Sequence, residues 1–323
     1  MKILITGAGG PSAISVWKSL HSDHQLFMAD MDPCATGLYL VPAAQRLIVP
    51  RGDDPFFSQR LLALCQQHHI ELVIATVDAE LVPLAMKSQE FQAQGIQVPL
   101  SPLKALALCA DKLALLQAAQ AVVAVPQFEP FVGASGLLQS ATAPLFIKPR
   151  RGAGGRGAQI VRGPQDLAAI PRDGSYLLQE WLPGNEYSVD VYLRADGVAI
   201  AAVPRLRMKI DSGIAMAART QHLPALSQVA IDVAQAMGVR FAVNVQFRED
   251  ADGVPKLLEI NPRFPGTLPL TQAAGVDMPA LLVAEMQGQP MPDGLQPFKE
   301  VMAVRYLVEQ LVEIKEWETL NKA

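Results

Sequence analysis

Asn244, Gln246, Glu259, Asn261 and Arg263 bring one carboxylate, three amides and a guanidinium into two short alternating segments. The segments are Asn244-Val245-Gln246-Phe247 and Leu257-Leu258-Glu259-Ile260-Asn261-Pro262-Arg263, with Asp250-Ala251-Asp252-Gly253 between them. This pattern predicts a β-hairpin closed by an Asp-Gly turn. Side chains alternate between the faces of a strand, so Glu259 and Asn261 share a face, as do Asn244 and Gln246. A two-residue turn at Asp252-Gly253 would set Gln246 opposite Glu259 and Asn244 opposite Asn261. Such oxygens suit Mg²⁺, which takes a few carboxylate or amide oxygens and completes its shell with phosphate and water. The exposed polar face of an edge hairpin would show the same alternation.

A second group surrounds Lys148, which ends the apolar run Pro144-Leu145-Phe146-Ile147. The loop Arg150-Arg151-Gly152-Ala153-Gly154-Gly155-Arg156-Gly157 follows. Glycine lets backbone N–H groups approach an anion, and arginine adds charge and paired donors. The order GxxxxGK[ST] is absent, so this is not a P-loop. Its arginines argue for phosphate contact over a plain linker, which would be richer in serine. Asp111 stands as an N-cap before Lys112 and the run Leu113–Ala119. Arg205, Arg207, Lys209 and Arg219 form a basic stretch around Asp211-Ser212-Gly213, read as a mobile segment. An arginine fork there would suit a carboxylate substrate, with Arg219 ranked first.

Elements must position these groups. Lys2–Thr6, Gln25–Ala29, Leu47–Val49 and Glu71–Ala75 read as strands, with helices near Ser12–Leu20 and Pro55–His69. This alternation predicts a parallel, doubly wound sheet. Gly7-Ala8-Gly9-Gly10 with Asp30 or Asp32 invites a dinucleotide-binding reading. The third glycine is replaced by Ser12, and Pro11 is expected to disturb the helix start. Further strands are expected at Ala158–Val161, Tyr176–Glu180, Glu186–Leu193 and Val198–Val203. Helices are expected at Pro224–Met237, Leu268–Ala274 and Met278–Gln287, and a last strand, Met302–Val308, should close the chain.

Composition sets limits. The 323 residues are 50% hydrophobic and 18% charged with net charge -4, which gives no basic surface for nucleic acid. Aromatic residues make up 6%, too few for base-stacking platforms. Cys34, Cys65 and Cys109 form no CxxC pair and are read as buried thiols of a reducing cytoplasm. The first residues are not a signal peptide, and no apolar run spans a bilayer. The five histidines show no metal-ligand spacing.

Three fragments occur in a characteristic order: Ile147-Lys148-Pro149 with the glycine loop, Gln179-Glu180-Trp181-Leu182 with Glu186, and Gln246 with Glu259-Ile260-Asn261-Pro262-Arg263. In this the chain resembles the ATP-grasp superfamily. It is similar to single-unit members, to carbamoyl phosphate synthase large-subunit halves and to carboxylate–amine ligases. The resemblance implies α/β and α+β architecture. A Rossmann-like pre-ATP-grasp parallel sheet (1–99) would precede a two-part nucleotide domain, its small subdomain at 100–182 and its large, metal-binding subdomain at 183–323. It implies ATP and Mg²⁺ (or Mn²⁺) as cofactors. Lys112 and Lys148 would reach the nucleotide, and Gly154 and Gly155 would fold over the triphosphate. Glu180, Trp181 and Leu182 would bind the adenine edge and Glu186 the ribose. Glu259 and Asn261 would hold the metal, with Gln246 standing where many relatives carry a second acid. Arg263 would stabilise the transferring phosphoryl group.

The implied activity joins a small carboxylate, an amino acid by analogy, to an amine through an acyl phosphate, releasing ADP and phosphate. Gly7–Gly10 and Asp30 would then border the acceptor rather than a dinucleotide. The expected partners are these small substrates and a second copy in a homodimer, with no nucleic acid or membrane. Carbamoyl phosphate synthesis, a dinucleotide-dependent oxidoreductase and a non-catalytic nucleotide-binding partner are the alternatives.

Overall fold

The computed structural model describes residues 1–133, 135–140, 143–152 and 154–322. The chain opens with strands β1 (Lys2–Thr6), β2 (Gln25–Asp30), β3 (Arg46–Ile48) and β4 (Leu72–Ile74), all parallel in the order β3-β2-β1-β4. Helix α1 (Pro11–Leu20) follows the glycine turn with Pro11 at its start, where a missing N–H costs nothing, so Pro11 favours the helix that it was expected to disturb. Helix α2 (Phe57–His68) leads into β4. After β4 come α3 (Asp78–Met86) and α4 (Ser88–Ala93), which the hydrophobic pattern did not reveal. Pro83 lies inside α3 and masks its periodicity.

Helices α5 (Leu103–Cys109) and α6 (Lys112–Ala119) follow, α6 capped as expected by the Asp111 carboxylate on the N–H groups of Leu113 and Ala114. A small antiparallel sheet comes next, β5 (Phe128–Pro130), β6 (Leu145–Pro149), β7 (Gln159–Val161) and β8 (Tyr176–Glu180), ordered β5-β8-β6-β7. Helix α7 (Gly136–Ser140) sits between β5 and β6.

The third sheet has six antiparallel strands in the order β13-β12-β9-β10-β11-β14. They are β9 (Glu186–Leu193), β10 (Ala199–Asp211), β11 (Ile214–Thr220), β12 (Phe241–Glu249), β13 (Pro255–Asn261) and β14 (Met302–Val304). Helix α8 (Pro224–Ala236) precedes β12, and α9 (Leu268–Ala273) and α10 (Met278–Met286) follow β13. Arg205 to Arg219, expected as a mobile basic segment, is the β10–β11 hairpin. The last strand stops at Val304 instead of Val308, and α11 (Ile314–Leu320) ends the described chain.

Strand parity makes the large sheet two-faced. Tyr187, Val189, Val191, Val243, Val245 and Phe247 face a core shared with α5, α6 and α8. The other face is apolar at one end, where Tyr192, Val203 and Ala242 join a core shared with β1, β2, α1 and α10. Two residues further along each strand it turns polar: Asp190, Arg205 and Asn244, then Ser188, Arg207 and Gln246. A common core therefore fixes the N-terminal sheet beside the polar patch. Helices α5 and α6, expected with the small subdomain, bury Ala105, Cys109, Leu115 and Leu116 in the large-sheet core. Cys65 and Cys109 are buried, which pushes both thiols up to about 12, whereas Cys34 is exposed, contrary to expectation. No helix among the described residues is long and apolar enough to cross a membrane.

Candidate active site

The three sheets enclose a cleft of about 790 Å³ over the polar end of the large sheet. On its floor Gln246 pairs with Glu259 and Asn244 with Asn261, the register expected from the alternation. The route to that register is different. Asp250 N–H bonds Val254 O at 3.0 Å and Val254 N–H bonds the Asp250 carboxylate at 2.9 Å, so the turn contains three residues, 251–253. A bulge at Leu257–Leu258 absorbs the extra residue and restores parity before Glu259. The bulge also has a use: Leu258 O accepts from Lys148 Nζ at 3.3 Å.

Two lysines meet the carboxylate. Lys112 Nζ lies 3.8 Å from Glu259 Oε2 and donates to Gly152 O at 2.8 Å, tying α6 to the glycine loop. Phe146 and Lys148 share the cleft side of β6, while Leu145 and Ile147 fill the small-sheet core. Burial pushes Lys148 down to about 8, Glu259 pulls it back in part and Lys112 adds to the fall. Burial pushes the Glu259 carboxyl upward, but Lys112, the Asn261 hydrogen bond at 3.1 Å and Lys148 hold it below its ordinary value. Glu259 is thus ionised between two cationic groups, poised for a ligand that supplies negative charge.

The glycine loop forms the roof. Gly154 and Gly155 have φ of +71° and +68°, and a side chain at either would meet open space, so backbone conformation alone demands glycine there. A Cβ on Gly213, at the tip of the β10–β11 hairpin, would come within 3.3 Å of the Gly154 backbone, so loop and hairpin close on each other above the cleft. Ala153 lies outside the described residues.

Parity corrects the reading of the adenine-edge segment. Gln179 pairs with Phe146 across β8 and β6 and faces the cleft, its Oε1 buried without a partner among the described residues. Glu180 faces away and bonds Lys256 instead. Trp181 and Leu182 line the cleft as expected, with Arg248 stacked 4.8 Å from the Trp181 ring centre. Glu186 also lines it, held by Arg207 and by Arg248 at 3.3 Å.

Arg219 is not in the cleft. It pairs with Leu206, on the opposite face of the sheet from Arg205 and Arg207, and is exposed. Lys209, beyond a register shift in β10, is exposed too. Arg205 is fully buried and grips Asp190 through Nε at 2.9 Å and Nη2 at 2.6 Å. Asp190 also accepts from Asn244 at 2.8 Å and Thr271 at 2.5 Å. Arg263 reaches the cleft clamped on both nitrogens by Asp78 of α3, each at 2.8 Å. Asp78 and Asp190 had no signal in local sequence, because their partners come from distant segments.

Two family descriptions match the chain: "ATP-grasp in the biosynthetic pathway with Ter operon" over residues 172–310, and "PylC-like, N-terminal domain" over residues 3–99. The ATP-grasp description thus covers the stretch that holds Glu180, Glu186, Glu259, Asn261 and Arg263. Among curated relatives, the carbamoyl phosphate synthase large chain of Pasteurella multocida is 30% identical over 188 residues. That stretch is 52% of this chain and only 17% of the relative. Among solved structures, N5-carboxyaminoimidazole synthetase of Staphylococcus aureus complexed with ADP superposes with TM-score 0.74 at 14% identity. The match covers 93% of this chain and 81% of that one. The biotin carboxylase domain dimer of Hydrogenobacter thermophilus 2-oxoglutarate carboxylase, bound to MgADP, ADP and bicarbonate, gives TM-score 0.72 at 16% identity. Here the coverage is 92% of this chain and 72% of that one. At such identities the likeness is one of fold. The cleft lies between sheets whose arrangement these structures share.

Proposed function

We propose that the protein is an ATP-dependent, ADP-forming ligase that activates a small carboxylic acid as an acyl phosphate and joins it to an amine. The observation that carries this reading is Glu259 ionised between Lys112 and Lys148 beneath a glycine-loop roof, a site short of negative charge that a Mg-nucleotide would supply. Arg263 facing the same cavity supports it further.

The donor set fits a divalent ion. Asn261 spends its amide nitrogen on Glu259 and so keeps its amide oxygen as an acceptor beside the carboxylate, whereas Gln246 donates to Asn244 at 3.1 Å and its oxygen already accepts from Arg207 at 3.3 Å, a bond that metal binding would have to displace. Glu259 and Asn261, with Gln246 as a third ligand, would hold Mg²⁺ or Mn²⁺. The metal would supply charge neutralisation on the transferring phosphoryl group. A single carboxylate leaves most of the shell to phosphate and water, so metal and nucleotide should bind together.

In the first step the substrate carboxylate attacks the γ-phosphorus of ATP, forming the acyl phosphate and releasing ADP. Lys148 and Lys112 would hold phosphate oxygens, and Arg263, fixed by Asp78, would face the charge developing in transfer. In the second step the amine attacks the acyl carbon and phosphate leaves. Gly154 and Gly155, closed against Gly213, would exclude water from the acyl phosphate. Gln179, Trp181 and Leu182 take the adenine-edge role, with the unpartnered Gln179 oxygen suited to an exocyclic amine. Glu186 takes the ribose. Arg219 drops out of the carboxylate-binding role, which passes to Arg207 on the cleft face. An amino acid as the acid, and a homodimer as the assembly, belong to this proposal.

The similarity to carbamoyl phosphate synthase favours one second reading, phosphorylation of bicarbonate or carbamate. Release of ADP and phosphate from Mg-ATP against a panel of amino acids, bicarbonate and amines separates the two. The ligase reading predicts release that needs an acid–amine pair and disappears in Glu259→Ala. Release driven by bicarbonate alone would sink it.

A further inference from the structure

At the end of the cleft remote from Trp181, Arg205 is 1% exposed, yet its Nη1 has no hydrogen-bond partner among the described residues. Its other two nitrogens belong to Asp190, whose two oxygens already accept four bonds, so no carboxylate oxygen there remains for Nη1. A buried guanidinium N–H without an acceptor is costly and calls for one.

The acids nearby are already engaged, Asp190 by Arg205, Asn244 and Thr271, and Asp30, which lines the cleft just before α1, by the Gly9 N–H at 2.8 Å. Arg305 binds Gly266 O and has no acidic partner within salt-bridge range among the described residues. Burial lowers its pKa first, and the nearby Arg205 charge lowers it further. Gly266 packs on Pro11, so close that a Cβ there would come within 2.8 Å of the Pro11 ring. Ser15 bonds Gly266 O at 3.3 Å. This brings the start of α1 to the same place. Helix α1 has ten residues, no side-chain cap and no acidic residue in its first turn, and Gly10, Pro11 and Ser12 line the cleft beside Gly266 and Thr267. Its first-turn N–H groups and dipole favour an anion. Arg305 and the uncapped helix start thus meet at Gly266, and the Arg205 charge is close enough to act on Arg305, while Asp190 is already saturated.

We infer that this end of the cleft is an oxyanion subsite, and that the ligase substrate carries a second anionic group, a carboxylate or a phosphate, held by Arg205 and the start of α1, with Arg305 adding its charge from behind Gly266. The subsite's place in the sheet sets the reach of that substrate. Glu259 pairs with Gln246, Gln246 with Ser188, and Ser188 lies beside Arg205 on β10, so the subsite is two strands, about 10 Å, from Gln246 and three, about 14 Å, from Glu259. The reacting carboxylate occupies the Glu259 end, and the second anion anchors the far end of the same molecule. The substrate class is then a dianionic acid: a dicarboxylate, an acidic amino acid or a phosphorylated acid. The inference rests on the ligase reading only for the molecule that carries the anion. The subsite itself rests on Arg205, Arg305 and α1.

The test uses the full chain with Mg-ATP and hydroxylamine as a surrogate amine, reading phosphate release with dicarboxylates, phosphorylated acids and length-matched monocarboxylates. Dianions should show a KM at least about tenfold lower than monocarboxylates, the effect of one charge-assisted hydrogen bond or more. Arg305→Met and Arg205→Lys should raise the dianion KM about tenfold with kcat little changed, and leave monocarboxylate KM where it was. Whichever of dicarboxylate and phosphorylated acid shows the lower KM names the anion. Thermal unfolding with Mg and a non-hydrolysable ATP analogue gives a readout that needs no turnover. Dianions should raise the Tm of the native chain and not of Arg305→Met. If no acid is turned over yet the dianion shift is present and arginine-dependent, the ligase reading fails and the subsite stands. Monocarboxylates equal to dianions in the native chain, or variants that keep the dianion preference, would overturn the subsite.

Discussion

Lys148 is held in the cleft against its own solvation. Its ordinary pKa of 10.5 falls to about 8 through burial, with Glu259 offsetting part of the loss. Between those values the unfolded chain binds more protons than the folded one, so stability climbs as pH rises from about 8 toward 10.5. Below pH 8 the full cost of about 3 kcal/mol is present. Lys148→Met is therefore expected to leave the ligand-free protein as stable as the native chain or more so at pH 7, while weakening Mg-nucleotide binding at least about tenfold. Thermal unfolding and a nucleotide titration on the same sample check both halves. A clear loss of Tm would show that Lys148 holds the fold together instead. Glu80, in α3 beside the N-terminal sheet, gives the opposite sign. It is buried, accepts a hydrogen bond from Thr6, and burial raises its carboxyl to about 7. The stability it contributes is complete below about pH 4.5 and is lost as pH rises through 7. Glu80→Gln should thus raise Tm at pH 8 and change it little at pH 4.5, followed by thermal unfolding at the two pH values.

At the scale of elements, the closure of the glycine loop on the β10–β11 hairpin is the feature with most bearing on turnover. Gly213 has φ of +78° and stands against the Gly154 backbone. Gly213→Val should strain the hairpin tip and prop the roof open. The expected outcome is acceptor-independent ATP hydrolysis several-fold above that of the native chain, with global stability lowered by about 1–2 kcal/mol. Stopped assays of phosphate release with and without amine measure this. Element parity also explains what could be read from sequence. The pairing of Gln246 with Glu259 was legible, although the two-residue turn from which it was read is a three-residue turn whose extra residue the bulge at Leu257–Leu258 cancels. Readings made from the resemblance or from residue type, without parity, missed the face. Glu180 was chosen over Gln179, and Arg219 over the cleft-facing Arg205 and Arg207, because a one-residue shift moves every side chain to the other face.

For the whole molecule, alternating strand and helix patterns were enough to read the parallel N-terminal sheet and its succession by antiparallel strands. The joints between sheets were not legible. Asp78 meets Arg263 across 185 residues, and the start of α1 meets Gly266 and Arg305 only after all three sheets have folded. Such meetings depend on the shared core of β1, α1, α10 and Tyr192, a property of the assembled layers and not of any local pattern. The same joints place the two lysines, Glu259 and Arg263 around one cavity, and the acyl-phosphate route depends on that arrangement. The most direct test follows the oxygen. With an acid from the panel labelled with ¹⁸O in its carboxylate, ³¹P NMR of the products should show ADP and inorganic phosphate bearing one ¹⁸O atom. Label in AMP, formed together with pyrophosphate, would contradict the account and mean adenylation of the acid.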